Sequence, residues 1–304
     1  MEKPAQDGSG ELQAAIEETR KRFLAGVTAM RPRLHRFCAR MTGSALDGED
    51  IVQETLAQAF YSLGSLQDAT RLEPWLFRVA HNKCVDFLRR ERRPREETVS
   101  YEDEAVSQSV PNGDQPADEP IDEALAALVA ELPPMERACV LLKDVLDYRL
   151  AEAAAVVDST VGGVKAALHR GRTKLREARV APKRPVELDV EERKLVDAYV
   201  DAFNRRDWDA LIRLLEADVP VELVGVAETT CATYFTNYSR MPGEWKFLVA
   251  RVDGEPVIVL SRKAGDDWVP RTAVKLWWRD GKVARIRDYI HVDYLLQYSR
   301  TEAL

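Results

Sequence analysis

Apolar positions recur at helical spacing through the N-terminal part of the chain. One stripe runs Ile16, Phe23, Val27 and Met30, and resumes after Pro32 as Leu34, Phe37 and Met41. A second runs Ile51, Val52, Leu56, Ala59, Phe60 and Leu63, and a third Trp75, Leu76, Val79, Ala80, Phe87 and Leu88. This period predicts helices throughout. Pro32 is expected in the first turn of a new helix, where its missing N–H costs nothing. Residues 64–72 read as a polar connector, and Pro94 closes the third helix.

Residues 96–124 carry Pro111, Gly113, Pro116 and Pro120 and almost no periodic apolar residues, the grammar of a mobile linker. Helical patterning resumes over 121–132, 135–146, 149–157 and 161–179, and Pro182 and Pro185 mark a second boundary. Beyond Val186 the pattern changes. One long amphipathic helix is expected over 191–215, then strands over 219–224, 245–252, 256–262, 268–278 and 282–290, and a short helix near 292–298. Asp253-Gly254 and Asp280-Gly281 are hairpin turns by composition. The expected fold is multidomain: two all-α domains (11–95 and 121–182) joined by a flexible linker (96–120), then an α+β domain with an antiparallel sheet (187–304).

Charge sharpens this division. The 304 residues carry a net charge of −7, which alone argues against nucleic acid, but the charge is segregated. Residues 96–124 hold ten acids and no Lys or Arg; residues 160–184 hold eight basic residues and one acid; five of the seven residues 89–95 are Arg. Such sorting offers different partners different surfaces. The four cysteines lie far apart with no C-x-x-C pair, which fits reduced thiols rather than a metal site or a disulfide framework. No apolar run is long enough for a membrane span, and Met1–Gly10 lacks a signal-peptide centre, so a cytoplasmic protein is expected.

The two helical segments over 149–157 and 161–179, broken at Asp158-Ser159, have helix-turn-helix proportions. Asp158 stands where the turn favours positive φ, which Asp tolerates, and Ser159 or Thr160 caps the second helix. Val161, Val164, Leu168 and Leu175 form its inward stripe. Lys165, His169, Arg170, Arg172 and Lys174 are left outside, able to reach phosphates and guanine edges. Taken alone, this strip also reads as a solvated basic face.

Three motifs carry a family resemblance. Residues 47–55 (Asp-Gly-Glu-Asp-Ile-Val-Gln-Glu-Thr) resemble the polymerase-binding motif of extracytoplasmic-function sigma factors. Trp75-Leu76-Phe77-Arg78-Val79-Ala80-His81-Asn82-Lys83 and Asp86-Phe87-Leu88-Arg89-Arg90 resemble that group's promoter-melting, −10-reading helix. Leu132-Pro133-Pro134-Met135-Glu136-Arg137, the helix-turn-helix and His169-Arg170-Gly171-Arg172-Thr173-Lys174-Leu175 resemble its −35-binding domain. The resemblance implies that Asp47, Glu49, Asp50, Gln53 and Glu54 form an acidic ridge for core RNA polymerase, on the helix face opposite Val52, Leu56 and Phe60. It implies −10 contacts from Asn82, Lys83, Asp86, Arg89 and Arg90 and −35 contacts from Lys165, His169, Arg170, Arg172 and Lys174, the two promoter-DNA readers being held apart by the acidic tether. Ala166-Ala167 and Gly162-Gly163 depart from the group's pattern; the paired glycines cost about 2 kcal/mol of helix propensity.

The run from Tyr199 through Asp218 resembles the opening of a cone-shaped SnoaL-like domain of the NTF2-like superfamily, which some sigma factors of this group carry at the C-terminus. Tyr199, Tyr234, Trp277, Asp288 and His291 are the candidates for lining a cone pocket, with Asp218 and Tyr289 nearby in kind. No pair of them has a spacing that demands acid–base chemistry, so neither an enzyme nor a cofactor or metal is expected. The expectation is a sigma factor whose cone contacts the sigma domains and regulates in cis, a small-molecule ligand staying open. The competing expectation is a stand-alone helix-turn-helix regulator that senses a ligand through the cone.

Overall fold

The computed structural model describes residues 8–62, 72–92, 132–177, 186–297 and 299–304. The acidic linker, the helix expected over 121–132 (Leu132 apart) and the connector as far as residue 71 lie outside the described residues. Three helices come first: α1 (Gly8–Thr42), α2 (Ala45–Tyr61) and α3 (Leu72–Arg92). The expected break at Pro32 is absent, and α1 runs through it. Packing overrides the lost hydrogen bond here, because Val27, Leu34, Phe37 and Met41 on either side of the proline are all buried along one helix. Ser44 caps α2, its side chain accepting from the Asp47 N–H at 3.2 Å. Gly48 lets α2 cross α1 closely: a Cβ there would stand 2.5 Å from the backbone of Ala39.

The second helical unit comprises α4 (Pro134–Val140), continued by a π-type turn over Leu141–Val145, then α5 (Leu150–Val156) and α6 (Val161–Glu177). Asp158 adopts φ 55°, as the turn requires, and Thr160 Oγ1 accepts from the Gly163 N–H at 3.0 Å. Val164 and Leu168 face inward as expected, while Val161 is exposed.

The two units are not held apart. Phe37, Phe77 and Cys84 of the first share one apolar core with Leu142, Leu146, Val157 and Val164 of the second. Phe77 packs against Tyr148 with ring centroids 5.3 Å apart. Glu73 accepts from both Tyr148 (2.9 Å) and Arg33 (2.6 Å), and Arg78 pairs with Asp158 of the helix-turn-helix at 2.9 Å. Arg137 donates to the carbonyls of Leu132 and Met41, joining α4 to the end of α1. The apolar residues on the inner sides of both units account for this closure: each unit leaves a stripe that the other covers.

The C-terminal domain has α7 (Val190–Arg205), α8 (Trp208–Leu214) and α9 (Cys231–Ser239) against one face of a seven-stranded sheet. The strands are β1 (Val221–Leu223), β2 (Ala227–Thr229), β3 (Trp245–Val252), β4 (Glu255–Ala264), β5 (Asp267–Arg279), β6 (Lys282–Asp288) and β7 (Thr301–Ala303), in the order β2-β1-β6-β5-β4-β3-β7. The sheet is mixed rather than antiparallel, because β1 runs parallel to β6 with Leu223 opposite Asp288. Asp253-Gly254 and Asp280-Gly281 all have positive φ, the geometry of type I′ hairpins. The helix expected over 191–215 is two helices. Arg206 adopts φ 61° and lays its guanidinium 3.3 Å from the Trp245 ring centroid, and Asp207 caps the next helix through the Ala210 N–H. In place of the helix expected over 292–298, residues 293–297 form turns, residue 298 lies outside the described residues, and β7 follows, paired with β3.

Phe203 is the centre of an aromatic cluster inside the cone. Its ring lies 4.4 Å from Phe247, 5.0 Å from Tyr238 and within 6.3 Å of five further aromatic rings. The opposite face of the sheet carries Ala250, Val252, Val257, Val259 and Ala273, and these residues share a core with Ala45 and Leu46 of α2. The first helical unit thus lies between two covers, the helix-turn-helix unit and the C-terminal sheet. Gly48→Ala is expected to lower stability by about 3 kcal/mol, through forced separation of α1 and α2; the check is a lower denaturant midpoint at unchanged slope.

Candidate functional site

The acidic ridge is not a solvated face. Glu49 is 0% exposed, on the buried side of α2 near Val52, and its carboxylate accepts from Arg31 (2.9 Å), Gln53 (2.5 Å) and the Tyr294 hydroxyl (3.0 Å). Asp50 accepts from Arg287 at 2.6 Å and from Tyr289 at 3.2 Å. Asp47 is half-buried near Glu255 and Lys275, whereas Glu54 is exposed and pairs with Lys83 at 3.2 Å. The apolar period of α2 by itself places all five on the outside. It missed a second apolar surface, the sheet, against which this side of the helix packs.

Arg31 comes from α1, Arg287 and Tyr289 from the end of β6, and Tyr294 from the turns that follow. Sequence reasoning did not single out Arg31, Arg287 or Tyr294. Burial would lower Arg31, but Tyr294 and the Glu49 carboxylate beside it hold its pKa raised. Burial pushes the Asp50 carboxyl up to about 6, against the pull of Arg287 and Tyr289. The turn of the β3–β4 hairpin also reaches α2: Asp253 accepts from the Ala45 N–H at 2.8 Å, at the start of the helix. The His35 ring tilts over Tyr294 at 5.2 Å and its Nε2 meets the Ala45 carbonyl at 2.9 Å.

On α3, Asn82, Asp86, Arg89 and Arg90 are exposed, with Asp86 paired to Arg89 at 3.7 Å; Lys83 is half-buried against Glu54. Trp75 and Phe87 are partly buried core residues. On α6 all five predicted contact residues are exposed, but three are held by acids. Arg170 and Lys174 both reach Glu136 at 2.9 Å, and Arg172 makes a two-point contact with Asp144 at 2.6 and 3.1 Å.

The five cone candidates divide. Tyr199, Tyr234 and Asp288 come together in the interior with Tyr238, whose hydroxyl donates to Asp288 at 2.5 Å; the Ile290 N–H donates to its other oxygen at 2.9 Å. Trp277 lies on the opposite face of the sheet, flanked by Arg285 at 5.1 Å and Lys275 at 5.7 Å, because neighbouring strand residues alternate faces. His291 is exposed in the turn after β6. Burial raises the Tyr199, Tyr234 and Tyr238 phenols, reinforced by the nearby Asp288 charge. Burial also pushes Asp288 up to about 6 despite the Tyr238 hydrogen bond. Cys38, Cys84 and Cys139 are buried free thiols and Cys231 is half-buried. No helix among the described residues is long and apolar enough to cross a membrane.

Residues 27–94 match the family model of Sigma-70 region 2, and residues 122–175 that of Sigma-70 region 4. The extracytoplasmic-function RNA polymerase sigma factor SigG of Mycobacterium tuberculosis is 28% identical across 88% of this chain and 78% of SigG. The RNA polymerase sigma factor CarQ of Myxococcus xanthus is 32% identical across 48% of this chain and 82% of CarQ. Among solved structures, the extracytoplasmic-function sigma factor SigJ of Mycobacterium tuberculosis aligns over 87% of this chain and 95% of its own, at 19% identity and a TM-score of 0.35. Two helical modules in this order define a bacterial transcription initiation factor. The extracytoplasmic-function RNA polymerase sigma factor SigM of Bacillus subtilis is 30% identical across 47% of this chain and 86% of SigM, and the chain belongs to the extracytoplasmic-function sigma factors of RNA polymerase.

Asp288 titrates near 6 in the folded domain and near 3.8 when unfolded. Its burial as an anion therefore costs stability above pH 6, and that cost fades as pH falls toward 4. This group is expected to add about 2 kcal/mol of stability between pH 7 and pH 4.5. A carboxyl-carbon NMR titration of Asp288 checks it: a midpoint near 4 would count against the expected gain.

Proposed function

We propose that this sigma factor binds core RNA polymerase through α2, with Asp47, Glu49, Asp50, Gln53 and Glu54 as the contact strip, and that the C-terminal domain silences it in cis by occupying that strip. Promoter −10 contacts come from Asn82, Lys83, Asp86, Arg89 and Arg90 of α3. The −35 contacts come from Lys165, His169, Arg170, Arg172 and Lys174 of α6. The observation that carries the cis regulation is the engagement of Asp50 by Arg287 and Tyr289 and of Glu49 by Tyr294, all three from the C-terminal domain. A carboxylate whose lone pairs are filled by guanidinium and phenol donors has little left to offer another basic surface.

Binding to polymerase then requires the sheet to leave. Each 1.4 kcal/mol by which the closed form is favoured lowers the apparent polymerase affinity about tenfold. The reading of the cone as the seat of a small-molecule sensor has less support, because its aromatic candidates Tyr199 and Tyr234 are buried and pack against Phe203.

Two variants test the proposal. A chain ending at residue 186 is expected to bind core polymerase about tenfold or more tightly than the full chain. Arg287→Ala combined with Tyr294→Phe in the full chain is expected to move affinity the same way by a smaller factor. Equal affinity of all three for core polymerase overturns cis silencing; no affinity in any of them overturns the α2 assignment.

A further inference from the structure

Glu136 stands in the Leu132–Arg137 motif at the start of the helix-turn-helix unit. Its side chain is 7% exposed, in the first turn of α4, and each oxygen holds one cation of α6: Oε1 accepts from Arg170 Nε and Oε2 from Lys174 Nζ, both at 2.9 Å. Arg170 and Lys174 are four residues apart and so share one side of the helix. Between them lies Gly171, buried where α6 meets α4. A Cβ at Gly171 would stand 3.0 Å from Val140 Cγ2 and 3.5 Å from the Cβ of Glu136. The missing side chain brings the two helices close enough for one carboxylate to span both cations.

We propose that Glu136 is a positioning residue for −35 readout, holding Arg170 and Lys174 ready for the DNA. This rests on the assignment of those two cations to −35 contacts. Arg170 is held by its Nε edge, which leaves both terminal NH2 groups uncommitted to Glu136 on a side chain that is 52% exposed. Those groups form a planar fork suited to guanine O6 and N7 or to a phosphate. Lys174 commits one of its three donors and is 49% exposed. Long basic side chains lose rotamer freedom when they dock, and an anchored stem has lost part of it beforehand. Lys165 and His169 have no such carboxylate among the described residues. The anchor has an electrostatic counterpart: an anion beneath two DNA-facing cations weakens attraction to any duplex, whatever its sequence. Positioning and charge therefore predict opposite signs on removal of Glu136.

The test uses the full chain assembled with core polymerase, on a promoter whose −35 bases are changed one at a time, with an unrelated duplex at the same salt. Glu136→Gln keeps the size of the side chain, but its single carbonyl oxygen cannot hold both cations. It is expected to reduce discrimination between the cognate and changed −35 elements roughly fivefold or more, with binding to the unrelated duplex unchanged or tighter. Added to Arg170→Ala/Lys174→Ala, it is expected to reduce discrimination no further. If Arg170→Ala and Lys174→Ala themselves leave discrimination intact, the −35 assignment of these cations falls. If they reduce it while Glu136→Gln does not, the positioning role alone is overturned. Equal loss on cognate and unrelated DNA, with a lowered melting temperature, overturns it too, reducing Glu136 to a brace between helices.

Discussion

Two neighbouring carboxylates on one helix, Glu49 fully buried and Asp50 half-buried, are held by donors from distant elements, and much of the molecule is arranged around that fact. An unpaired buried anion is costly, and pairing offsets the cost only with good geometry and filled lone pairs. Glu49 draws Arg31 from α1 and Tyr294 from the C-terminal turns; Asp50 draws Arg287 and Tyr289 from the end of β6. Donors from elements far apart in sequence must meet at α2, so the position of the sheet is set by charge as well as by the apolar contact with Leu46. Asp288 stands between Arg287 and Tyr289 on β6 and turns the other way, into the cone. The strand therefore joins an aromatic interior to the interface on α2.

The closure between the two helical units is of a different kind. Phe37, Phe77 and Tyr148 make it mainly apolar, with Glu73 and Asp158 supplying polar fastenings at its margin. The promoter contacts proposed for α3 and for the helix-turn-helix would require the two units to give up this contact. The sheet touches α2 and the helix-turn-helix unit packs elsewhere on the first unit, so the two closures sit on separate surfaces.

Much of the architecture was legible in the sequence because local signals carried it. The helical periods, the strands of the β3–β4 and β5–β6 hairpins, and the two Asp-Gly turns depend on patterning over a few residues, and the structure places them within a residue or two. What was not legible came from packing between distant segments. Pro32 reads as a break until the burial on both sides of it is known. Arg206 carries no local mark of its left-handed conformation, which pairs with its seat over Trp245. The acidic residues of α2 read as a solvent face because the apolar period of a single helix cannot register a second covering surface. Trp277 and His291 share the chemistry of the cone residues, but strand alternation and a turn put them outside it. Arg31 and Tyr294, 263 positions apart, had no signal to connect them.

The aspartate of the β3–β4 hairpin has a consequence beyond its own turn. Asp253 serves as the acceptor for the backbone N–H of Ala45, so the opening turn of α2 is completed by a residue 208 positions downstream. In the proposed polymerase-bound state, with the sheet lifted away, that amide has no Asp253 partner and Ser44 alone secures the helix start. The helix offered to the transcription machinery would then have a more weakly anchored beginning than the one stored beneath the sheet, so the act of uncovering it also loosens it.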